Sequence, residues 1–216
     1  MDDEQFWLPD ANLLSYDRRL NMKSATLDRD ILWETPAGKH VRISSRRLVS
    51  LANRHVAAIS YCVTLLNADA HVVISSEMVA NPPSIRTDPD DPRQMRVTTG
   101  RVLHPRTSYS NNRRIVLCHA TDRSRLTLAC ATDQGLETAC THTHKVVHTD
   151  DFGQVAFAIE AGAGCPVSLT KYMVYHTSQT MSERDLSRRA EWTMDRVTAR
   201  GFQDLLVAQE QYMDNF

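Results

Sequence analysis

Most of the chain alternates apolar and polar side chains with a period of two, which is typical of half-buried β-strands. The segment 27–33 places four side chains on one face of a strand: Leu27, Arg29, Ile31 and Trp33. Residues 35–38, which include Pro36 and Gly38, then predict a turn into a return strand at 41–44. This segment therefore predicts a β-hairpin.

The same alternation continues along the chain. A long strand is predicted over 57–65, with a turn at 67–70 and a return strand over 71–76. Further strands are predicted near Val102 and over 115–119, 126–130, 139–148, 155–159 and 167–176. The tripeptide Asp151-Phe152-Gly153 predicts a hairpin turn, and the proline-rich segment 81–94 predicts a polar surface loop. Many short strands with turns between them predict a mainly β fold, an antiparallel β-sandwich or barrel.

The hydrophobic period changes near residue 180. Thr180 or Ser182 can cap a helix, and apolar residues then recur at helical spacing at 186, 190, 194 and 197. Gly201 predicts a break, after which the helical pattern continues to the last residue. Such an apolar stripe must be buried against another surface. Our candidates for an interface with a further domain are Trp192, Phe202, Leu205, Tyr212 and Phe216.

Composition narrows the class of protein. The 216 residues are 42% hydrophobic with a formal net charge of −1, so no long-range field would attract nucleic acid or an anionic membrane. The acidic start at residues 1–4 has no apolar run behind it, which argues against a secretory signal. No apolar stretch is long enough to span a bilayer. Five cysteines without a Cys-x-x-Cys pair indicate free thiols in a reducing compartment, and we expect the cytoplasm.

Several residues could carry chemistry, but each has a simpler structural explanation. Cys140, His142 and His144 would project from one face of a strand and could bind zinc, although the spacing favours a polar strand face. Trp33 and Tyr61 could stack on a sugar, but their period-two positions favour core packing. One of the adjacent Arg46 and Arg47 should point outward, and either could pair with a carboxylate. We therefore name no catalytic, cofactor-binding or metal-binding residue.

Several segments carry a family resemblance. Residues 13–23 contain Tyr16 followed by Leu20-Asn21-Met22-Lys23, and residues 33–38 lead into Ser45-Arg46-Arg47-Leu48-Val49-Ser50-Leu51. The segments 57–61 and 72–77 follow at similar spacing. In this order they resemble glycoside hydrolase family 65, whose members phosphorolyse maltose, trehalose and kojibiose. Asn21 and Lys23 depart from the family pattern, in which Asp and Arg are expected.

The resemblance implies a fold and a division into domains. Residues 1–179 would form an antiparallel β-sandwich of the supersandwich, galactose mutarotase-like type, lacking its first strands. Residues 180–216 would be linker helices that lead toward a missing (α/α)6 barrel. The chain would thus be truncated at both ends, and uncovered edges and faces would favour self-association, with a dimer expected.

The resemblance also implies a function for the parent protein. Family members use an inverting mechanism, in which one carboxylic acid protonates the glycosidic oxygen and inorganic phosphate, the co-substrate, attacks the opposite face of the sugar. Those groups lie in the barrel, so we expect this fragment to be inactive alone, without a cofactor; phosphorolysis and hydrolysis both stay open for the parent. Two alternatives are a carbohydrate-binding module and a mutarotase-like module. The second would use a histidine and a glutamate among His55, His71, His104 and Glu77.

Overall fold

A computed structural model describes residues 4–81 and 101–215 of the chain. Within those ranges the chain forms eleven strands and one long helix. In chain order the elements are β1 (Asn12–Asn21), β2 (Thr26–Glu34), β3 (His40–Val49), β4 (Val56–Leu65), β5 (Ala70–Val79), β6 (His104–Asn111), β7 (Arg114–Ala120), β8 (Thr127–Glu137), β9 (His142–His148), β10 (Phe152–Ala161), β11 (Pro166–Ser178) and α1 (Glu183–Asp214).

The strands form two antiparallel sheets. The large sheet has the order β1-β2-β3-β4-β11-β8-β7-β6, and the small sheet has the order β5-β10-β9. The small sheet packs on the inner face of the large sheet, and α1 packs on the outer face, mainly against β8 and β11. The large sheet therefore has an apolar core on each side, because its strands alternate buried residues between the two faces.

Each core is formed by alternate residues of the strands, namely those on the face of the large sheet that is turned toward it. The inner core contains Ile31, Trp33, Val41, Ile43, Val63 and Leu65 of the large sheet, which pack on Val72, Ile74, Val155 and Phe157. The outer core contains Leu48, Ala58, Val116, Ala131 and Val174, which pack on Leu186, Ala190, Met194 and Leu205 of α1. The predicted antiparallel sandwich followed by a C-terminal helical segment is confirmed.

The β2–β3 hairpin has the turn that the sequence predicts. Gly38 adopts φ +76°, a conformation that costs residues with a Cβ more than it costs glycine. The backbone N–H of Gly38 donates to the carbonyl oxygen of Thr35 at 2.8 Å, which closes the turn. This closure fixes the register in which Glu34 pairs with His40.

Other element boundaries differ from the sequence-based expectations. The structure adds β1, which the alternation did not predict because almost every residue of this edge strand is exposed. The strand expected near Val102 begins at His104, β9 begins at His142 rather than 139, and Phe152 and Gly153 already belong to β10. The tight turn before β10 therefore lies two residues earlier, where Thr149 donates to the carbonyl oxygen of Phe152. Of the loop predicted at 81–94, residues 82–94 lie outside the described residues.

Helix α1 begins and bends where the sequence indicates. Ser182, not Thr180, is the N-cap: the backbone N–H of Asp185 donates to the Ser182 hydroxyl oxygen at 3.2 Å. Gly201 has φ 80° and ψ 171°, so the helix is interrupted there and resumes at Phe202. Both halves bury their apolar side chains against the sheet, which makes the helix an integral layer of this fold.

Candidate functional site

A cleft of about 670 Å³ opens between the two sheets. Trp33, Ile43 and Val63 of the large sheet and Ile74 of the small sheet give it an apolar floor. Arg47, Tyr61 and Lys171 add polar groups to its lining. This combination of an apolar wall with a few polar groups is typical of sites for small ligands, as is the volume.

The two adjacent arginines of β3 lie on opposite faces of the sheet. On the outer face, Arg46 Nε donates to Asp28 Oδ1 at 2.7 Å, and Arg42 Nη2 donates to Asp30 Oδ2 at 3.1 Å. Arg47 has the opposite parity and lines the cleft. The expectation that one arginine of the pair points outward is thus confirmed, and Arg46 is the one that pairs with a carboxylate.

Lys171 and Tyr61 supply hydrogen-bond donors in the cleft. Lys171 Nζ donates to the backbone carbonyl oxygen of Glu77 at 2.6 Å, which joins β11 to the edge of the small sheet. Burial lowers the pKa of Lys171, and the charge of Glu77 partly offsets that effect. Burial also raises the pKa of Tyr61, so its hydroxyl stays protonated at neutral pH and can donate.

The acidic residues that line the cleft are Glu4 and Glu77. The carboxylate of Glu77 lies on the exposed face of β5, since buried and exposed positions alternate along that strand. Its Oε1 accepts hydrogen bonds from Ser75 Oγ and Gln154 Nε2, each at 3.0 Å. This carboxylate is therefore held away from the interior of the cleft.

A second cavity, of about 580 Å³, lies between the first half of α1 and the end of the large sheet. His55, His176, Arg189, Trp192 and Arg196 contribute to its lining. The imidazole rings of His55 and His176 lie 4.0 Å apart between centroids. The cavity is therefore lined by aromatic and basic groups on the helix side of the sheet.

His176 is buried and hydrogen-bonded at the base of this cavity. Thr193 Oγ1 donates to the carbonyl oxygen of Arg189 at 3.0 Å, so it accepts from His176 Nε2, which lies 3.0 Å away. Burial is the main cause that lowers the pKa of His176 to about 4, and His55, Arg189 and Arg196 lower it further. His176 is therefore neutral at physiological pH.

The structure divides the candidates for a domain interface into two groups. Trp192 is 67% exposed and Tyr212 is also exposed, so both can contact another domain. Leu205 is only 1% exposed and belongs to the outer core, and half-buried Phe202 packs against the same core. Leu205 is thus covered by this domain's own sheet, while Phe216 lies outside the described residues.

The predicted strand face with Cys140, His142 and His144 lies at the start of β9. Cys140 Sγ is 3.0 Å from Cys165 Sγ, and His142 Nδ1 donates to the carbonyl oxygen of Cys140 at 3.1 Å. His144 lies 6.0 Å from the ring of Phe157. Residues 4–81 and 101–215 hold no group of three histidine, cysteine or acidic side chains that could bind a metal ion.

The candidates for a mutarotase-like pair have separate neighbours. The ring of His55 contacts that of His176 at a tilt, whereas His71 Nε2 lies 4.0 Å from Glu160. His104 Nε2 lies 3.0 Å from Asp122, and Glu77 accepts from serine and glutamine side chains. The structure therefore does not join any histidine of this set to Glu77.

The alternation of apolar and polar residues did not single out His176 or Lys171 as site residues. Both lie on strand β11, which was predicted, but their burial depends on the helix and on the small sheet. A signal for the charged lining was present in β2, where Arg29 shares a face with Ile31 and Trp33. A cation on an otherwise apolar strand face is a sign that this face is not uniformly buried.

These features define a β-sandwich domain with a ligand-sized cleft between its sheets and a helix on its outer face. The chain belongs to glycosyl hydrolase family 65: the profile described as "Glycosyl hydrolase family 65, N-terminal domain" matches residues 1–216. An uncharacterized glycosyl hydrolase of Mycobacterium tuberculosis (strain ATCC 25618 / H37Rv) is 32% identical over 216 residues, which is 99% of this chain and 27% of the relative.

Two further relatives are named as phosphorylases. The α,α-trehalose phosphorylase of Thermoanaerobacter brockii is 28% identical over 216 residues, covering 100% of this chain and 28% of its own length. A solved structure of a human-microbiome protein, provisionally assigned as a kojibiose phosphorylase, superposes with a TM-score of 0.83 at 13% identity. It covers 100% of this chain and 26% of its own, a likeness that shows the fold alone.

The chain spans about a quarter of the length of the curated relatives it matches. Over the part of the chain that the structure describes, no helix combines the length and apolar character needed to cross a membrane.

Proposed function

We propose that the chain is the non-catalytic sandwich domain of a glycosyl phosphorylase that cleaves an α-glucosyl disaccharide with inorganic phosphate as co-substrate. The observation that carries the proposal is the match of residues 1–216 to a family 65 N-terminal domain. Relatives named as trehalose phosphorylase contain about three quarters of their length outside this match. The protein would act in the cytoplasm, as a homodimer, and its free cysteines are consistent with that compartment.

The chemistry of phosphorolysis supports a non-catalytic role for this domain. The inverting reaction needs a carboxylic acid beside the glycosidic oxygen and a phosphate ion on the opposite side of the anomeric carbon. In the cleft, Arg47, Lys171 and Tyr61 can bind and orient a ligand, but the carboxylate of Glu77 is held on the exposed face of the small sheet. The proposal therefore assigns proton transfer and phosphate attack to a barrel domain outside this chain.

Helix α1 is the surface on which we expect that domain to dock. Its inner face is covered by the sheet, whereas Trp192 and Tyr212 remain exposed on the other side. Trp192 borders the cavity of about 580 Å³, so a side chain of the barrel could insert beside it. Exposed aromatic residues next to a cavity are common anchors of protein interfaces.

The catalytic part of the proposal is tested by product analysis. The 216-residue chain is incubated with trehalose, kojibiose or maltose and inorganic phosphate, in parallel with a longer protein that includes the barrel. We expect sugar phosphate from the longer protein alone. Sugar phosphate formed by the 216-residue chain would contradict the non-catalytic role, and glucose without sugar phosphate from the longer protein would contradict phosphorolysis.

The docking part is tested by Trp192→Glu, with Trp7→Glu as the matched control. Trp7 is 61% exposed but lies in the N-terminal segment, away from α1. We expect Trp192→Glu to lower the melting temperature of the longer protein and to leave that of the 216-residue chain unchanged. Trp7→Glu should change neither, and an unchanged melting temperature of the longer Trp192→Glu protein would refute the docking surface.

The cleft supports a second candidate, a carbohydrate-binding or mutarotase-like module. Its volume and its polar groups, including the protonated Tyr61 hydroxyl, suit a sugar ring. Calorimetry with maltose, trehalose and kojibiose, together with measurement of glucose anomer exchange, separates the candidates. Disaccharide binding by this chain would support the binding module, and anomer exchange faster than in buffer would support the mutarotase.

A further inference from the structure

Four cationic side chains lie on the inner face of the large sheet, one on each of the strands β1, β2, β3 and β11. Arg18 is directly opposite Arg29, and Arg47 is diagonal to Arg29 because its own partner on β2 is Leu27. Arg47 is opposite Ile59, which is opposite Lys171. Since opposite residues of an antiparallel pair lie on the same face, all four cations face the side of the cleft.

This arrangement is unfavourable in the absence of an anion. Like charges on directly opposite strand positions destabilise a sheet, and Arg18 and Arg29 occupy such a pair. Burial lowers the pKa of Arg47, and the charges of Arg29 and Arg18 lower it further. Within the described ranges, positive charge is thus concentrated on the inner face at Arg18, Arg29 and Arg47.

The outer face of the same strands shows the contrast. There Arg42 and Arg46 pair with Asp30 and Asp28. Within residues 4–81 and 101–215, Arg47 makes no ion pair or hydrogen bond to a carboxylate, and the same holds for Arg18 and Arg29. Among the described residues, the aspartates of β2 thus pair with arginines on the outer face, whereas Arg29 and Arg47 on the inner face have no carboxylate partner.

The cleft has the volume and the hydrogen-bond donors to bind a small organic anion. Lys171 uses one proton on the carbonyl oxygen of Glu77, so its ammonium keeps two protons for another acceptor. Arg47 brings a guanidinium, whose fork of N–H groups matches an oxyanion. Beside these groups the cleft offers an apolar floor within a volume of about 670 Å³.

We propose that this cleft binds a monosaccharide phosphate, with the phosphate between Arg47 and Lys171 and the sugar over the apolar floor. The oxyanion follows from the charges of the cleft, whereas the choice of a sugar rests on the proposed function. The Tyr61 hydroxyl donates to the ligand at the border between its charged and uncharged parts.

The test is calorimetric titration of this chain with glucose 1-phosphate and glucose 6-phosphate, and separately with inorganic phosphate and with glucose. We expect a sugar phosphate to bind at least about tenfold more tightly than inorganic phosphate or glucose alone. Arg47→Ala and Lys171→Met should each weaken it about tenfold or more. Arg46→Ala, which removes the same charge from the outer face, should leave the affinity unchanged.

Two readouts separate loss of the site from loss of the fold. Because Arg47 is repelled by its neighbours, Arg47→Ala should melt no lower than the unaltered chain, and Arg29→Ala should weaken binding without loss of stability. Absence of sugar phosphate binding at about 10 mM and low salt, or equal affinity in Arg47→Ala, would overturn the proposal. Inorganic phosphate that binds as tightly as the sugar phosphates would also overturn it.

The titration does not depend on turnover. A longer protein that forms sugar phosphate while this cleft fails to bind it would refute this inference and leave the proposed function standing. Conversely, binding at the cleft in a protein that only hydrolyses disaccharides would refute phosphorolysis and leave the site standing.

Discussion

His176 should make the stability of the domain depend on pH below neutrality. In the folded chain burial and nearby cations lower its pKa to about 4, whereas a histidine in an unfolded chain titrates near 6.5. Between these values the unfolded state binds more protons than the folded state, so stability rises with pH. The contribution is complete above pH 6.5 and is lost as pH falls through 6.5 toward 4.

The size of the effect follows from the difference between the two pKa values. These two pKa values give a loss of about 2.5 kcal/mol between pH 7.5 and pH 4.5, with a steepest slope of about 1.2 kcal/mol per pH unit near the middle of that range. The figure is an upper bound, because the ring borders a cavity that water can enter. Protonated His176 would face His55, Arg189 and Arg196, which are the groups that oppose its charge.

The variant His176→Gln tests this reasoning. Glutamine keeps a donor for Thr193 but does not titrate, so the variant should lose less stability than the unaltered chain between pH 7.5 and 4.5. Urea unfolding followed by tryptophan fluorescence measures the difference, and His71→Gln, which removes an exposed imidazole on β5, is the control. If His176→Gln and the unaltered chain lose the same stability over this range, His176 is not the group responsible.

Two other predictions concern packing and redox chemistry. A Cβ on Gly153 would lie 2.7 Å from Ile115 Cγ2, so Gly153→Ala should lower the free energy of unfolding by about 1–3 kcal/mol. The control is Gly135→Ala, which should cost far less because no atom lies within 4 Å of the added Cβ. Equal melting temperatures of the two variants would refute this prediction. Cys140 and Cys165, with sulfurs 3.0 Å apart, should form a disulfide with oxidised glutathione, releasing two reduced glutathione molecules and stabilising the chain by about 3 kcal/mol. A chain that keeps both thiols by mass spectrometry would contradict it, and Cys165→Ser is the control.

Sequence patterning predicted those parts of the fold whose burial is local. The β2–β3 hairpin and the second half of strand β4 alternate clearly because alternate side chains there face the inner core. In the first half of β4, Val56 and Ala58 face the outer core instead. The helix start at Ser182 and its interruption at Gly201 follow from capping and backbone conformation, which neighbouring residues determine. Strand β1 was missed because it is an exposed edge strand, and exposed strands carry little apolar alternation.

The two cavities could not be predicted in the same way, because each is formed by elements that are distant in sequence. His176 is buried only because α1 crosses the end of β11 and places Thr193 above it. Leu205 was predicted from the helical pattern to contact a missing domain. It is instead covered by this domain's own sheet, because α1 packs against that sheet. Burial of a helix face predicts that a partner surface exists, but it does not identify that surface.

The cations of the inner face show that charged residues in a strand are informative once the face on which each one lies is known. On β3, Arg46 and Arg47 are adjacent and chemically identical, but they lie on opposite faces of the sheet. Asp28 lies on the same face of the sheet as Arg46, and no acidic residue of β2 lies on the same face as Arg47. This asymmetry is visible in the sequence once the register is known, since each cross-strand pair fixes which charges can meet. It separates an outer surface of paired charges from the cleft lined by Arg47 and Lys171, the two cations on which the proposed oxyanion site rests.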